Sequence, residues 1–252
     1  MPWLSAFRQR LRIAHWRAEA ARVADASPAE ARRLLTDARD LSRAAASAAA
    51  AARQRLIQAD PPPKGADRRW RPGPFARRVL DVPLVAIPRK CTLDAEVEIF
   101  HDCRVSSLIL SQPPATGATG GATFGLTLES FGFDGSYLSL AVSLPPEARE
   151  GLGPRHILTL ELDSESEVPQ DLWVTLNLEH GPNLDKATER LAASGHQTRG
   201  AADFDLSRIG GQGGIEPHRL KSVWFDIFAT ERAMNRLWIR DLVVTRRRGA
   251  AW

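Results

Sequence analysis

Leu172-Trp173-Val174-Thr175-Leu176-Asn177-Leu178-Glu179 alternates without a break between aliphatic residues and polar or aromatic ones. A β-strand turns successive side chains to opposite faces, whereas a helix scatters such a pattern around its axis. The stretch therefore predicts a strand. Leu172, Val174, Leu176 and Leu178 would enter a core, while Trp173, Thr175, Asn177 and Glu179 would share the opposite face. The same period of two recurs at residues 93–99, 107–111, 124–129, 137–144, 157–163, 202–206, 222–228 and 237–245. Gly, Pro and Asp separate these runs, and Phe133-Asp134-Gly135-Ser136 reads as a hairpin turn. Only residues 184–193 carry a pattern of helical length. The fold class expected is mainly β, an antiparallel jelly-roll sandwich, in place of a parallel α/β sheet.

Upstream the texture changes. Residues 1–80 hold 17 Lys and Arg against 7 Asp and Glu, a net of +10; residues 81–252 hold 17 against 23, a net of −6. In residues 3–25, Trp3, Phe7, Leu11, Ala14 and Ala18 fall on one helical face, and Arg8, Arg10, Arg12, Arg17 and Arg22 cover much of the rest. This is either a packed stripe with a solvated cationic face or a helix that lies on an anionic membrane surface. Ser27-Pro28-Ala29-Glu30 starts a second helix with a capping serine, a proline in the first turn and a reciprocal glutamate. Pro61, Pro62 and Pro63 stop it. Leu34, Ala38, Leu41, Ala45, Ala48 and Ala52 make a seam that suits a hairpin with the first helix or self-association into a homo-oligomer. The organisation expected is a basic helical segment at 1–59, a Pro- and Arg-rich linker at 60–80, a sandwich at 81–246 and a tail at 247–252. Trp70, set among Arg68, Arg69 and Arg71, is expected to pin the linker to its own domain; stacking on a base or a lipid headgroup is the other reading.

Several function classes lose ground on the residues alone. Cys91 and Cys103 flank the run 93–99, which reads as one strand that would hold them apart, so free thiols are expected. No signal peptide is apparent. The run 44–52 is too short and weakly apolar to span a bilayer, and a cytoplasmic, bacterial protein of high-GC coding is expected. The basic excess sits in the first 80 residues and in Arg246, Arg247 and Arg248, which makes nucleic acid an unfavoured partner. His101-Asp102-Cys103 has nothing to set the imidazole against the thiol. His101, His156, His180, His196 and His218 lack metal-ligand spacing. The glycine runs at 117–122 and 210–214 lack the lysine and the strand–loop–helix setting of a phosphate loop, and read as surface loops. Asp163, Glu165 and Glu167 form a nonspecific acidic cluster. No enzyme activity, metal or cofactor is expected.

The ending Ser222-Val-Trp-Phe-Asp-Ile-Phe228, followed by Leu237-Trp-Ile-Arg-Asp-Leu-Val-Val244, resembles the last two strands of galactose-binding-like and carbohydrate-module jelly rolls, where the final strand alternates aliphatics around an aspartate. The whole chain is also similar to an alphaproteobacterial domain-of-unknown-function family. The resemblance implies the fold and carries no activity with it, since such sandwiches serve as sugar binders, assembly modules and accessory domains alike. A sugar-binding face needs aromatic platforms and polar groups on one side of a sheet. The candidate ligand residues are Trp173, Thr175, Asn177 and Glu179 with Trp224, Asp226, Trp238 and Arg240; the competing reading buries these tryptophans. Two functions stand open. One is a non-enzymatic module that binds a glycan or small polar ligand; the other is a scaffold whose helices at 3–59 dock an anionic membrane surface or a protein partner.

Overall fold

The computed structural model describes residues 13–59, 65–117, 121–209, 215 and 217–249. The chain divides into two compact units, residues 1–49 and 50–252. The first holds a helix over 13–22 (α1), a 3-10 turn, Val23–Asp25, and most of α2, Pro28–Ala59, whose last ten residues fall in the second. The start of α2 is the expected reciprocal cap. The Ser27 N–H donates to Glu30 Oε2 at 2.9 Å, and the Glu30 N–H donates to Ser27 Oγ at 3.3 Å. The Ser27 hydroxyl donates as well, at 2.7 Å, and these bonds hold the Glu30 carboxyl below its ordinary range. Among described residues 13–49 no side chain is buried: Leu34 and Ala38 of the seam are half-covered, and Leu41 is exposed. Trp3, Phe7 and Leu11 lie outside the described residues.

The second unit contains the strands β1 (Ala66–Trp70), β2 (Leu84–Val85), β3 (Lys90–Thr92), β4 (Val97–His101), β5 (Leu108–Ser111), β6 (Leu126–Ser130), β7 (Leu138–Ser143), β8 (His156–Ser166), β9 (Leu172–His180), β10 (Asn183–Leu191), β11 (Gln197–Asp205), β12 (Leu220–Ala229) and β13 (Asn235–Arg248), with the one-turn helices α3 (Gly73–Ala76) and α4 (Pro146–Arg149). They form two antiparallel sheets. Sheet one runs β11-β8-β13-β6-β5-β2, with β1 also on β13; sheet two runs β10-β9-β12-β7-β4-β3. The inward residues of both make one core, in which Leu160, Leu172, Leu176 and Phe225 are fully enclosed. Phe204 of sheet one meets Phe225 of sheet two with ring centroids 5.7 Å apart. The jelly-roll-like sandwich expected from the alternating runs is thus present.

The corrections fall where alternation is short or absent. Residues 93–99 are not one strand: Asp94 Oδ1 accepts from the N–H groups of Glu96 and Val97, at 2.9 and 3.0 Å, and turns the chain from β3 into β4. Cys91 therefore pairs with Ile99 across a hairpin. Residues 184–193 contain no helix. β10 pairs over nine residues with β9. As an edge strand it buries little besides Leu191, so it has no two-fold apolar signal to read. The 133–136 turn is not a hairpin, because β6 belongs to sheet one and β7 to sheet two. The span read as a linker contains β1, and the span read as a tail contains the end of β13, which runs to Arg248. β12 and β13 lie in opposite sheets.

Candidate ligand-binding face

Register across sheet two assembles an ordered outer surface. On β9 the inward set is Leu172, Val174, Leu176 and Leu178, all enclosed, and Trp173 is 42% exposed on the other side. Trp173 stands opposite Arg190 of β10 and Phe228 of β12. Phe228 stands opposite Ser139 of β7, Ser139 opposite Phe100 of β4, and Phe100 opposite Lys90 of β3. One row thus crosses all six strands: Arg190, Trp173, Phe228, Ser139, Phe100, Lys90. With strands about 4.8 Å apart, Phe228 and Phe100 stand roughly 10 Å from each other over the small Ser139. The row has a cation at each end. Arg190 Nε donates to Asp171 at 2.7 Å, and the Lys90 ammonium lies 5.5 Å from the Phe100 ring centroid.

The adjoining rows are polar. Thr175 meets Thr188 hydroxyl to hydroxyl at 2.9 Å, and Asp226 stands beside Thr175. Asp226 is the centre of a bonded set. Its Oδ2 accepts from Asn177 Nδ2 at 2.9 Å and from the Trp224 indole at 3.1 Å, and the Ser139 hydroxyl donates to Oδ1 at 3.4 Å. Burial pushes the Asp226 carboxyl above the usual carboxylate range, and these three donors only partly counter it. Asn177 is enclosed, so its role is to hold Asp226. Glu179 lies towards one end of the face, taking a bond from Ser222 Oγ at 2.7 Å.

Six of the eight sequence candidates therefore share one face, and two do not. Trp238 and Arg240 belong to sheet one, where a bulge between Ile239 and Asp241 leaves Arg240 unpaired in the ladder. Arg240 stacks 4.6 Å over the Trp238 ring and pairs with Glu165 and, at 3.8 Å, Asp163. Arg199 also reaches Asp163, at 2.9 Å. Asp163 and Glu165, the two members of the acidic cluster on β8, are thus matched by arginines. Phe100, Ser139, Lys90 and Arg190 were missed. Alternation places Phe100 on the outer parity of its own strand, but only strand order brings it beside Phe228.

The other constellations are structural. The His101 ring bonds Ile87 O through Nε2 at 3.1 Å and receives the Cys103 backbone N–H on Nδ1 at 3.3 Å. Both cysteines are free and buried, and burial pushes their thiols up, away from nucleophilic thiolate. Arg246 donates to both carboxylate oxygens of Asp67 and to the carbonyls of Ala148 and Glu150, and Arg247 pairs with Asp203. These basic residues brace the fold. Among the described residues no cluster of three metal-ligating side chains occurs, and no helix is long and apolar enough to cross a membrane. Of the two glycine runs read as loops, residues 118–120 and 210–214 lie outside the described residues, while Gly117 is described and adopts a φ of 76°.

No curated protein matches the sequence. Among solved structures the chain is similar to the enzymatically active domain of bacteriophage CBA120 tailspike protein 4, with a TM-score of 0.40 and 7% identity over 59% of this chain and 19% of that one. It spans about a fifth of that tailspike chain. It is similar to the CBM22-1 xylan-binding domain of Paenibacillus barcinonensis Xyn10C, with a TM-score of 0.38 and 10% identity over 60% and 87%. A family 11 carbohydrate-binding module from Clostridium thermocellum, in complex with a β-1,3-1,4-mixed-linked tetrasaccharide, is matched at a TM-score of 0.36 and 11% identity over 60% and 89%. Over residues 1–252, its whole length, the chain belongs to a family of unknown function, DUF6478.

Proposed function

We propose that this protein is a non-enzymatic binding module that takes a glycan on the outer face of sheet two. The row Arg190, Trp173, Phe228, Ser139, Phe100, Lys90 carries the reading. Sugar rings present C–H faces that pack on aromatic side chains, and hydroxyls that need donors and acceptors at the rim. Trp173, Phe228 and Phe100 supply the platforms, and the threonine pair and the terminal cations supply polar groups. The aspartate held between Asn177 and Trp224 is fixed before any ligand arrives, which lowers the ordering cost of binding.

The test is affinity electrophoresis of the full chain through gels containing neutral polysaccharides. Retardation by at least one of them, lost in Trp173→Ala while the melting temperature stays nearly constant, supports the reading. Equal retardation of both proteins, or no retardation in any gel, rejects it.

A further inference from the structure

A concave site lies beside β1, lined by none of the residues of the row that crosses sheet two. It is an open cavity of about 450 Å³ whose lining includes Arg68, Arg69, Trp70, Arg77, Glu96 and Glu147. That volume falls within the roughly 300–1,000 Å³ usual for small-molecule sites.

The wall is held rigidly. Asp67, at one end of β1, is gripped by Arg246, with Nε at 3.0 Å and Nη2 at 2.9 Å. Arg71, just past the other end, grips Asp241 at 2.7 and 2.9 Å. Both partners lie on β13, so the residues between the two pairs are presented on a strand fixed at each end. Trp70 and Glu96 line the cavity together, and the Glu96 carboxylate accepts the Gly73 N–H at 2.7 Å. Arg77 is exposed and shares Asp94 at 3.0 Å. Arg68 is exposed and, among the described residues, makes no side-chain hydrogen bond or ion pair. Arg68 lines the cavity with its side-chain donors unspent.

Both signs of charge meet here, and that selects the ligand. A dianionic phosphate would gain from the arginines but would face Glu96 and Glu147 at close range. A ligand with one carboxylate and several hydroxyls uses both. The planar fork of a guanidinium matches a carboxylate, and carboxylates accept from hydroxyls. The indole supplies a surface for a ring. We infer that this cavity binds a uronic acid residue, its carboxylate on Arg68 and its hydroxyls on Glu96 and Glu147. The site does not rest on the sheet-two face, and either can fail without the other.

Saturation-transfer difference NMR on the full chain tests it with methyl β-glucuronide, methyl β-glucoside and inorganic phosphate. The glucuronide should give transfer that excess glucoside and equimolar phosphate do not displace. Arg68→Ala should weaken its binding about tenfold or more, the scale of a lost hydrogen bond to a charged group. Arg68→Ala should also melt with the parent, because the side chain is exposed and unbonded. Absence of transfer from the glucuronide, displacement by equimolar phosphate, equal binding of the glucoside, or undiminished binding in Arg68→Ala would each overturn the assignment.

Discussion

Arg71 and Asp241 stand 170 residues apart in the chain and meet as a two-pronged pair, Nε to Oδ1 at 2.7 Å and Nη2 to Oδ2 at 2.9 Å. Both side chains are enclosed, with 2% and 8% of their surface exposed. A charge so deeply placed is tolerated only while its partner remains. Asp241 is the aspartate that interrupts the aliphatic alternation of β13, and its reason is thus the arginine that follows β1. Removal of one partner, in Arg71→Met or Asp241→Leu, should cost about 3–5 kcal/mol in chemical denaturation. The double substitution should recover much of that loss, since no uncompensated charge is then left. Equal instability of the double and the single variants would sink this account.

Trp173 and Phe225 belong to neighbouring strands of one sheet and point to opposite faces. Trp173 is 42% exposed and Phe225 fully enclosed. Phe225→Ala should therefore cost about 3–5 kcal/mol, the range for emptying a buried aromatic site. Trp173→Ala should cost less than about 1 kcal/mol. A reversed order in thermal or denaturant melts would place Trp173 in the core.

Asp226 and Asp67 are expected to tilt stability in opposite directions with pH. Burial raises the folded-state pKa of Asp226 above its unfolded value. Its favourable contribution is then complete below the unfolded value, about 3.9, and is lost as pH rises through the raised one. Asp226→Asn should raise the melting temperature at neutral pH and give little change in acid. The Arg246 bond lowers the folded-state pKa of Asp67. Its contribution is present above the unfolded value and is lost as pH falls through the depressed one. Asp67→Asn should lower the melting temperature at neutral pH, by a modest amount because 37% of the side chain is exposed, and the difference should vanish in strong acid. Parallel pH profiles for the two variants would contradict these assignments.

The sandwich was legible wherever a strand has one buried and one open face. β9 and β12 repeat their inward aliphatics over enough residues to be read directly, as does the shorter β5. The missed strands lack that contrast. β1 is Ala-Asp-Arg-Arg-Trp, held to β13 by its ion pairs more than by an apolar face. β2 has only two residues, and β10 is a polar edge. The candidate face was half legible for a related reason. Parity within a strand is local, so Trp173 and Thr175 were grouped correctly. Parity says nothing of which sheet a strand joins, so Trp238 and Arg240 were grouped with them although they lie in sheet one.

Burial should also govern thiol chemistry. Cys91 and Cys103 are 5% and 2% exposed, and their thiols are pushed up by desolvation. Both lie in or beside the β3–β4 hairpin of the core sheet. Alkylation by iodoacetamide in native buffer should be slow at both positions, and fast once denaturant unfolds the chain. Rapid native labelling of either thiol, read by mass spectrometry, would show that the hairpin opens locally.

The cap at Ser27 governs where α2 begins, and its effect should be separable from packing because residues 13–49 bury no described side chain. Two bonds are reciprocal there: the Glu30 N–H reaches Ser27 Oγ, and the Glu30 carboxylate takes the Ser27 N–H. In Ser27→Ala the hydroxyl is lost from both sides, and the first turn should fray with a cost of about 1 kcal/mol to that helix. Ser27→Asp should retain the cap, since a carboxylate accepts the same N–H and suits the positive end of the helix. Amide hydrogen exchange over residues 29–32 reads the difference. Faster exchange in Ser27→Ala, with near-parent exchange in Ser27→Asp and no change across the sandwich, is the expected result. Unchanged exchange in Ser27→Ala would mean that something other than the cap fixes the start of α2.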